Sequence, residues 1–218
     1  MGMEQTTLGP LRTGQNPDCQ KTFRKRTKGN AGALFALEWG RTAQLAGDFE
    51  ASRAAFEQAF AAIEDLDNRA VVSARGAVAQ GGAVLVNDKT IPYRTPSYER
   101  TLAHHYQALN YLALGDLTGA GVEVRRANRE QEEALQRREK EVAQAKSETE
   151  NVAPDDDRDP HLGAVYAGLD QAAGAVKSSF QNAATFFLSA VVWEMLGEPN
   201  DAYIDVKKAL EIAPENHF

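Results

Sequence analysis

The sequence predicts an all-α fold, arranged as a right-handed solenoid of antiparallel helix pairs. Three segments of the 218-residue chain align with one another without gaps. In each segment, small and apolar residues recur at helical spacing on both sides of a glycine. Because a helical hairpin of this kind buries only one face by itself, neighbouring hairpins are expected to stack into a continuous core.

The three aligned segments are residues 40–64, 108–132 and 190–214. Each contains a glycine followed by an acidic residue: Gly47-Asp48, Gly115-Asp116 and Gly197-Glu198. Glycine adopts a left-handed conformation without steric cost, so each one predicts the turn of a hairpin. Small residues seven positions before and five after it would let the two helices approach closely: Gly40, Ala108, Ala190, Ser52, Ala120 and Ala202. Residues nine and twelve positions after it complete an apolar stripe: Phe56, Val124, Val206, Ala59, Ala127 and Ala209.

Four positions before the glycine stand Ala43, Tyr111 and Trp193. The whole pattern of small, aromatic, glycine, small, bulky and alanine positions resembles the tetratricopeptide repeat, most strongly in the third segment, which Pro214 closes. Gly47 and Gly115 lie 68 residues apart, twice the roughly 34-residue period of that repeat. The next interval is longer, which predicts an insertion. The resemblance implies a concave groove that binds a protein or peptide.

A second resemblance rests on Asn87-Asp88, Pro92-Tyr93-Arg94, Tyr98-Glu99-Arg100, His104-His105-Tyr106 and residues 108–112. These motifs are similar to those of an uncharacterised family of bacterial tetratricopeptide lipoproteins, over about residues 25–216. The resemblance implies an envelope location, periplasmic or at the outer membrane, and a further C-terminal domain. Cys19 follows no apolar stretch, so we do not expect it to be lipidated, and Phe218 stands where that domain would begin.

The composition of the chain argues against several classes of function. The net charge of −7 argues against a nucleic-acid partner, because binding to phosphates needs many Lys and Arg contacts. One cysteine excludes a disulfide framework and a multi-cysteine zinc site. We expect no integral membrane segment, since no stretch approaches the ~20 apolar residues that one needs. No motif for a cofactor or a metal is present, and the chain is predicted not to be an enzyme.

Two domains of the sequence differ in character. Residues 1–30 predict a flexible basic lead-in that carries Lys21, Arg24, Lys25, Arg26 and Lys28, and residues 31–218 predict the helical domain. Within it, residues 65–86 and 122–152 each predict a helix. Residues 129–160 combine a charged helix with an acidic linker, Asp155, Asp156, Asp157 and Asp159. A coiled coil that binds a partner is an alternative reading of the charged helix.

The predicted binding groove uses the residues ten and six positions before each glycine: Leu37, Arg41, His105, Leu109, Phe187 and Val191. Since only two of them are polar, the groove suits an apolar or amphipathic helix better than a free carboxylate. The loop over residues 87–97 is expected to be held down by Tyr93, Arg94 and Tyr98, and Ser97 to cap the next helix. Further candidates for binding beside this loop are Glu99, Arg100 and His105.

The function predicted from the sequence is a non-catalytic scaffold that binds a protein or peptide, in a bacterial envelope assembly. The alternative is a small-molecule or glycan-binding protein, or an enzyme, that uses the region from Tyr93 to His105. A pocket enclosed by Tyr93, Arg94, Glu99 and His105 would favour this alternative, whereas an open groove would favour the scaffold. Apolar residues on the last helix, Tyr203, Leu210 and Ile212, predict an edge that contacts a further domain or a second copy of the chain.

Overall fold

The structure, a computed structural model, describes residues 16–80, 92–150 and 181–215. Over these ranges it contains seven helices and no strand, which confirms the all-α prediction there. The helices are α1 (Asn16–Arg24), α2 (Gly32–Leu45), α3 (Phe49–Gln80), α4 (Ser97–Ala113), α5 (Leu117–Glu150), α6 (Ala183–Leu196) and α7 (Pro199–Ile212). They belong to two compact units, Met1–Glu123 (unit 1) and Val124–Phe218 (unit 2), and α5 contributes to both.

Three helix pairs share the same turn geometry, and in each the aligned glycine has a positive φ. The values are 76° at Gly47, 76° at Gly115 and 79° at Gly197. In each turn the following acidic residue donates its backbone N–H to the carbonyl five residues earlier: Asp48 to Ala43 at 3.0 Å, Asp116 to Tyr111 at 2.8 Å, and Glu198 to Trp193 at 2.9 Å. This is the Schellman arrangement, which satisfies carbonyls at the end of a helix. The predicted role of the three glycines is confirmed.

The acidic residue after the glycine also begins the next helix. Asp48 accepts from the N–H of Ala51 at 3.1 Å, and Asp116 accepts from the N–H of Gly119 at 2.8 Å. Each bond satisfies a free donor in the first turn of the helix. Glu198 makes no such side-chain bond. Glycine and aspartate together therefore define the turn in the first two pairs, and glycine alone in the third.

The first hairpin, α2 with α3, is closely packed at its small residues. A Cβ at Gly40 would lie 3.0 Å from the ring of Phe56. One turn before Phe56 on α3, the hydroxyl of Ser52 donates to the carbonyl of Gly40 at 2.8 Å. The predicted close approach of the two helices at these positions is thus confirmed.

Helix α4 packs directly against both α2 and α3. A buried polar network joins the three helices, since Gln44 donates to Asn110 at 2.7 Å and Asn110 donates to Ser52 at 2.8 Å. Within residues 48–80 and 92–114, the described part of the interval between Gly47 and Gly115, there is no further hairpin turn. The extra residues extend α3, which continues the helix of the first hairpin as far as Gln80. The predicted helix at 65–86 is part of α3, and its residues 81–86 lie outside the described ranges.

The prediction of a flexible lead-in is wrong for Asn16–Arg24, which form α1. Cys19 is fully buried, and Phe23, one helical turn later, is buried against α2. The rings of Phe23 and Phe35 lie 6.3 Å apart. Two apolar residues four positions apart are enough to attach this short helix, although the surrounding sequence is polar and basic.

Helix α5 confirms the prediction of an uninterrupted helix over residues 122–150. It begins earlier, at Leu117, as the second helix of the second pair. Residues 136–140 of this helix are exposed, which agrees with their charged sequence. The acidic linker that follows lies outside the described residues.

Unit 2 joins α6 and α7 to α5 through one buried carboxylate. Asp205 accepts from the Ser189 hydroxyl at 2.6 Å, the Trp193 indole at 3.0 Å and the Asn128 amide at 2.7 Å. Val206, the residue expected inside this hairpin, is 37% exposed. That expectation is wrong for Val206, because the side of α7 that faces α6 is centred on Asp205. Tyr203 and Leu210 are exposed, as the sequence predicts.

Candidate functional site

Unit 1 contains a cavity of about 190 Å³ between α2, α3 and α4. Its walls are mostly apolar, and three charged side chains also line it. The lining residues are Leu34, Leu37, Glu38, Arg41, Phe56, Glu99, Leu102, Ala103 and Tyr106. This is the candidate site, and it is called the hairpin cavity below.

The two helices that form its walls use the same spacing. Helix α2 contributes residues 34, 37, 38 and 41, and α4 contributes residues 99, 102, 103 and 106. Positions i, i+3, i+4 and i+7 lie on one face of an α-helix. Phe56, buried on α3, supplies the remaining apolar wall, and its ring lies 6.5 Å from that of Tyr106. The cavity therefore forms where two helix faces meet over a third helix.

Arg41 is fixed at one end of the hairpin cavity. Its guanidinium donates to Gln44 at 2.7 Å and lies over the Tyr106 ring, 4.3 Å from the centroid. Gln44 in turn donates to the backbone carbonyl of Tyr106 at 2.8 Å. The arginine thus packs against an aromatic face, an arrangement in which the cation and the ring attract each other.

Glu99 carries the second fixed charge. Its carboxylate accepts from the Tyr93 hydroxyl at 2.5 Å and, more weakly, from the Tyr98 hydroxyl at 3.4 Å. Burial, and then the hydrogen bond to Glu99, raises the pKa of Tyr93, so the phenol stays protonated as a donor. Across the cavity, burial and the nearby Glu99 carboxylate raise the pKa of Glu38 above its usual value.

The segment before α4 is attached by backbone and side-chain bonds. The N–H of Tyr93 donates to the carbonyl of Asn30 at 2.7 Å. Arg100 donates to the carbonyl of Thr95 at 3.0 Å and makes a two-pronged ion pair with Asp67, at 2.5 and 2.8 Å. Residues 87–91 of the predicted loop lie outside the described ranges.

Of the three residues expected to hold this segment down, Tyr93 does so, whereas Arg94 is exposed and Tyr98 is 61% exposed. Thr95, which is buried, takes their place. The predicted cap is also displaced, because the N-cap position of α4 is Pro96, without a side-chain cap bond. Proline fixes the backbone before the helix, so no capping side chain is needed to define its start.

The predicted site residues separate into three groups. Leu37, Arg41 and Glu99 line the hairpin cavity, and Tyr93 hydrogen-bonds to it through Glu99. Arg100 holds the preceding segment. His105 and Leu109 are half-buried on α4 but do not line the cavity, and Phe187 and Val191 are exposed on α6 of unit 2. Burial, and then the Arg41 charge, lowers the pKa of His105.

Six lining residues were not among the predicted site residues: Leu34, Glu38, Phe56, Leu102, Ala103 and Tyr106. The prediction used the same two positions on every first helix. The two helices that enclose the cavity instead contribute residues at different distances from their glycines. Leu37 and Arg41 lie ten and six residues before Gly47, whereas Leu102 and Tyr106 lie thirteen and nine residues before Gly115. The i, i+3, i+4, i+7 pattern on each helix could have revealed the set.

Unit 1 also contains a buried pair with acid–base chemistry. His104 Nδ1 lies 2.6 Å from a carboxylate oxygen of Glu123, and the imidazole stacks on Phe60 with ring centroids 4.2 Å apart. Both side chains are buried, and neither lines the hairpin cavity. We interpret the pair as a contact that joins α4 to the start of α5.

A wider cleft of about 520 Å³ lies beside α1. It is bordered by Gln20, Lys21, Arg24, Lys25, Trp39, Asp48 and Ala51. The Arg24 guanidinium lies over Trp39, 5.6 Å from the ring centroid. The three cations are exposed, so the basic run of the lead-in faces solvent along one side of α1.

In the part of the chain that the structure describes, no group of three or more His, Cys, Asp or Glu side chains is placed to hold a metal ion. Nor does any described helix have the length and apolar character that crossing a membrane requires. Comparison with known proteins adds no identity, since no protein-family model and no curated protein matches this chain.

Proposed function

We propose that this chain is a non-catalytic interaction protein of the tetratricopeptide type, and that the hairpin cavity receives an apolar side chain of a partner peptide or helix. The right-handed solenoid predicted from the sequence belongs to the same proposal. It is supported by three hairpins that share one turn geometry at Gly47, Gly115 and Gly197. The observation that carries the functional proposal is the lining of the cavity, in which six of the nine residues have apolar or aromatic side chains.

The size of the cavity favours a side chain over a cofactor. Pockets for small-molecule ligands typically measure about 300–1,000 Å³, and the hairpin cavity measures about 190 Å³. A leucine, methionine or phenylalanine anchor on a helix fits this scale and is the usual means by which an amphipathic helix binds a groove. The alternative of a glycan or small-molecule site receives less support, since Tyr93, Arg94 and His105 do not line the cavity.

The partner is proposed to be a protein or peptide in a bacterial envelope assembly, on the strength of the lipoprotein-like motifs around Tyr93 and Tyr98. Self-association, or contact with a further domain, through the exposed side of α7 remains a prediction. Leu210, which is 52% exposed, is the residue to change. A Leu210→Glu variant should lower the solution mass if the parent self-associates.

The test of the proposed function is a matched pair of substitutions on α2. Leu37 lines the cavity, whereas Leu45, on the same helix, is exposed outside it. Peptides are first selected on the wild-type protein from a random library displayed on phage, and their affinities are then measured for Leu37→Asp and Leu45→Asp. We expect Leu37→Asp to weaken binding by at least about tenfold, because a charge would replace the apolar contact.

The control should bind like the wild type, and both variants should retain the helical circular dichroism of the parent. Equal binding by Leu37→Asp and the wild type would place the site elsewhere on the chain and overturn the proposal.

A further inference from the structure

The hairpin cavity carries two carboxylates that have no ion-pair partner among the described residues. Glu38 on α2 and Glu99 on α4 both line it. The cation that lines the same cavity, Arg41, contacts Gln44 and the Tyr106 ring instead. The apolar walls thus adjoin a local excess of negative charge.

The position of Glu99 is fixed by its neighbours. The Tyr93 hydroxyl donates to one of its oxygens and the Tyr98 hydroxyl to the other. Tyr93 is itself attached through its backbone to Asn30. These donors are neutral, so they orient the carboxylate without cancelling its charge. A fixed anion at the edge of an apolar cavity is an arrangement that selects a ligand by its charge.

The Glu99 carboxylate also acts on Glu38. Burial, and then the Glu99 charge, raise the pKa of Glu38 above its usual value and so disfavour its ionised form. A cation placed between them would relieve this repulsion and gain two charge-assisted hydrogen bonds. Ionised Glu38 is therefore unfavourable in the unbound protein, and a bound cation would remove this penalty. Such perturbed ionisation is common at binding sites.

Resting on the proposed function, we infer that the partner of the hairpin cavity is a basic amphipathic peptide. Its apolar anchor enters between α2 and α4, and a Lys or Arg next to the anchor binds Glu38 and Glu99. An acidic peptide is excluded by the same two charges, and a purely apolar peptide leaves them unpaired.

The experiment begins with the same selection from a random peptide library on phage, carried out on the wild-type protein at moderate salt. Selected sequences should pair a large apolar residue with Lys or Arg within one helical turn. One such peptide and its twin with Gln in place of the cation are then synthesised. Their affinities are measured by calorimetry for the wild type, Glu38→Gln, Glu99→Gln and the control Glu64→Gln.

Replacing the peptide cation should weaken binding to the wild type about tenfold, as expected for losing a hydrogen bond between charged groups. The same replacement should have a much smaller effect on the Glu38→Gln and Glu99→Gln proteins, because their partner charge is already gone. The control Glu64→Gln removes the same charge at an exposed position outside the cavity. The Glu64→Gln protein should respond like the wild type.

The outcomes separate the two proposals. If binding is sensitive to Leu37→Asp but the two peptides bind equally, the proposed function stands and the basic partner is wrong. If the cation matters equally for all four proteins, it binds somewhere other than Glu38 and Glu99, which also overturns the inference. A selection that yields no peptide above background, or only peptides insensitive to Leu37→Asp, overturns both.

Discussion

The first and third hairpins have the same turn and the same aligned register, yet they bury different positions. Nine residues after the glycine, Phe56 is 1% exposed and Val206 is 37% exposed. Eight residues after it, Ala55 and Asp205 are both buried. The residue eight positions after the glycine therefore faces the first helix of its own hairpin. The residue nine positions after it faces the neighbouring helix outside the hairpin.

The neighbouring helix explains the contrast. In unit 1, α4 packs on the first hairpin and places Tyr106 beside Phe56. In unit 2, α7 packs on α6 and buries Asp205, whereas Val206 on the next position of α7 is left 37% exposed. A repeat pattern in a sequence thus predicts which residues can be buried, whereas the neighbouring helix decides which of them are.

The largest effect is expected from truncating Phe56 and Val206, the residues nine positions after the glycine in the first and third hairpins. Phe56→Ala should lower the free energy of unfolding by about 3–5 kcal/mol, because it removes a large buried side chain and leaves a cavity. Val206→Ala should change it by no more than about 1 kcal/mol, since part of the side chain is already exposed. Denaturant unfolding followed by circular dichroism measures both. Similar losses for the two variants would mean that Val206 is covered in solution.

A smaller loss of stability is expected from a change at the position eight residues after the glycine. Asp205→Ala places in the third hairpin the residue type that the first hairpin has at Ala55. We expect it to destabilise the chain by about 2–4 kcal/mol, because the buried Ser189 and Trp193 donors and the half-buried Asn128 amide lose their acceptor. Asp201→Ala, an exposed change on the same helix, is the control. A neutral Asp205→Ala would show that water or another group replaces the carboxylate, and that the network does not hold unit 2 together.

The smallest effect comes from Glu38, whose pKa is raised by burial and by Glu99. Well below the usual glutamate pKa, this side chain is protonated in the folded and the unfolded chain and contributes nothing. As the pH rises, the unfolded chain ionises first, so the folded state is destabilised relative to it. Glu38→Gln should therefore raise the melting temperature near neutral pH and not in acid.

This gain should be no more than about 0.5 kcal/mol, because Glu38 is exposed and solvent screens its charge. Thermal unfolding of Glu38→Gln and Glu64→Gln at several pH values checks it. A loss of stability in Glu38→Gln at neutral pH would mean that the carboxylate is favourable in the unbound protein, contrary to the charge argument.

Backbone features were the most predictable part of this molecule. The turns at Gly47, Gly115 and Gly197 follow from local chemistry, because only glycine adopts a positive φ there at little cost. The helical course of residues 117–150 follows from an absence of proline and an abundance of strong helix formers. Helix α1 was missed because its anchors, Cys19 and Phe23, are a single apolar pair within a charged segment.

The cavity was only partly predictable, for a geometric reason. The repeat register predicts Leu37 and Arg41 as site residues, and both line the cavity. The matching face of α4 is shifted by three positions, to Leu102 and Tyr106. A repeat register gives each helix the same set of positions, and only the packing of α4 on α2 shows that the two helices use different ones.

Methyl NMR tests most directly whether a partner peptide binds the hairpin cavity or the exposed apolar residues of α6 and α7. A peptide selected on the wild-type protein is titrated while the leucine and valine methyl signals are followed. We expect the shifts to concentrate on Leu34, Leu37 and Leu102, which line the cavity, and to leave Val191 and Leu210 unchanged. Shifts confined to Val191 and Leu210 would contradict this expectation, since binding would then occur on the uncovered surface of unit 2.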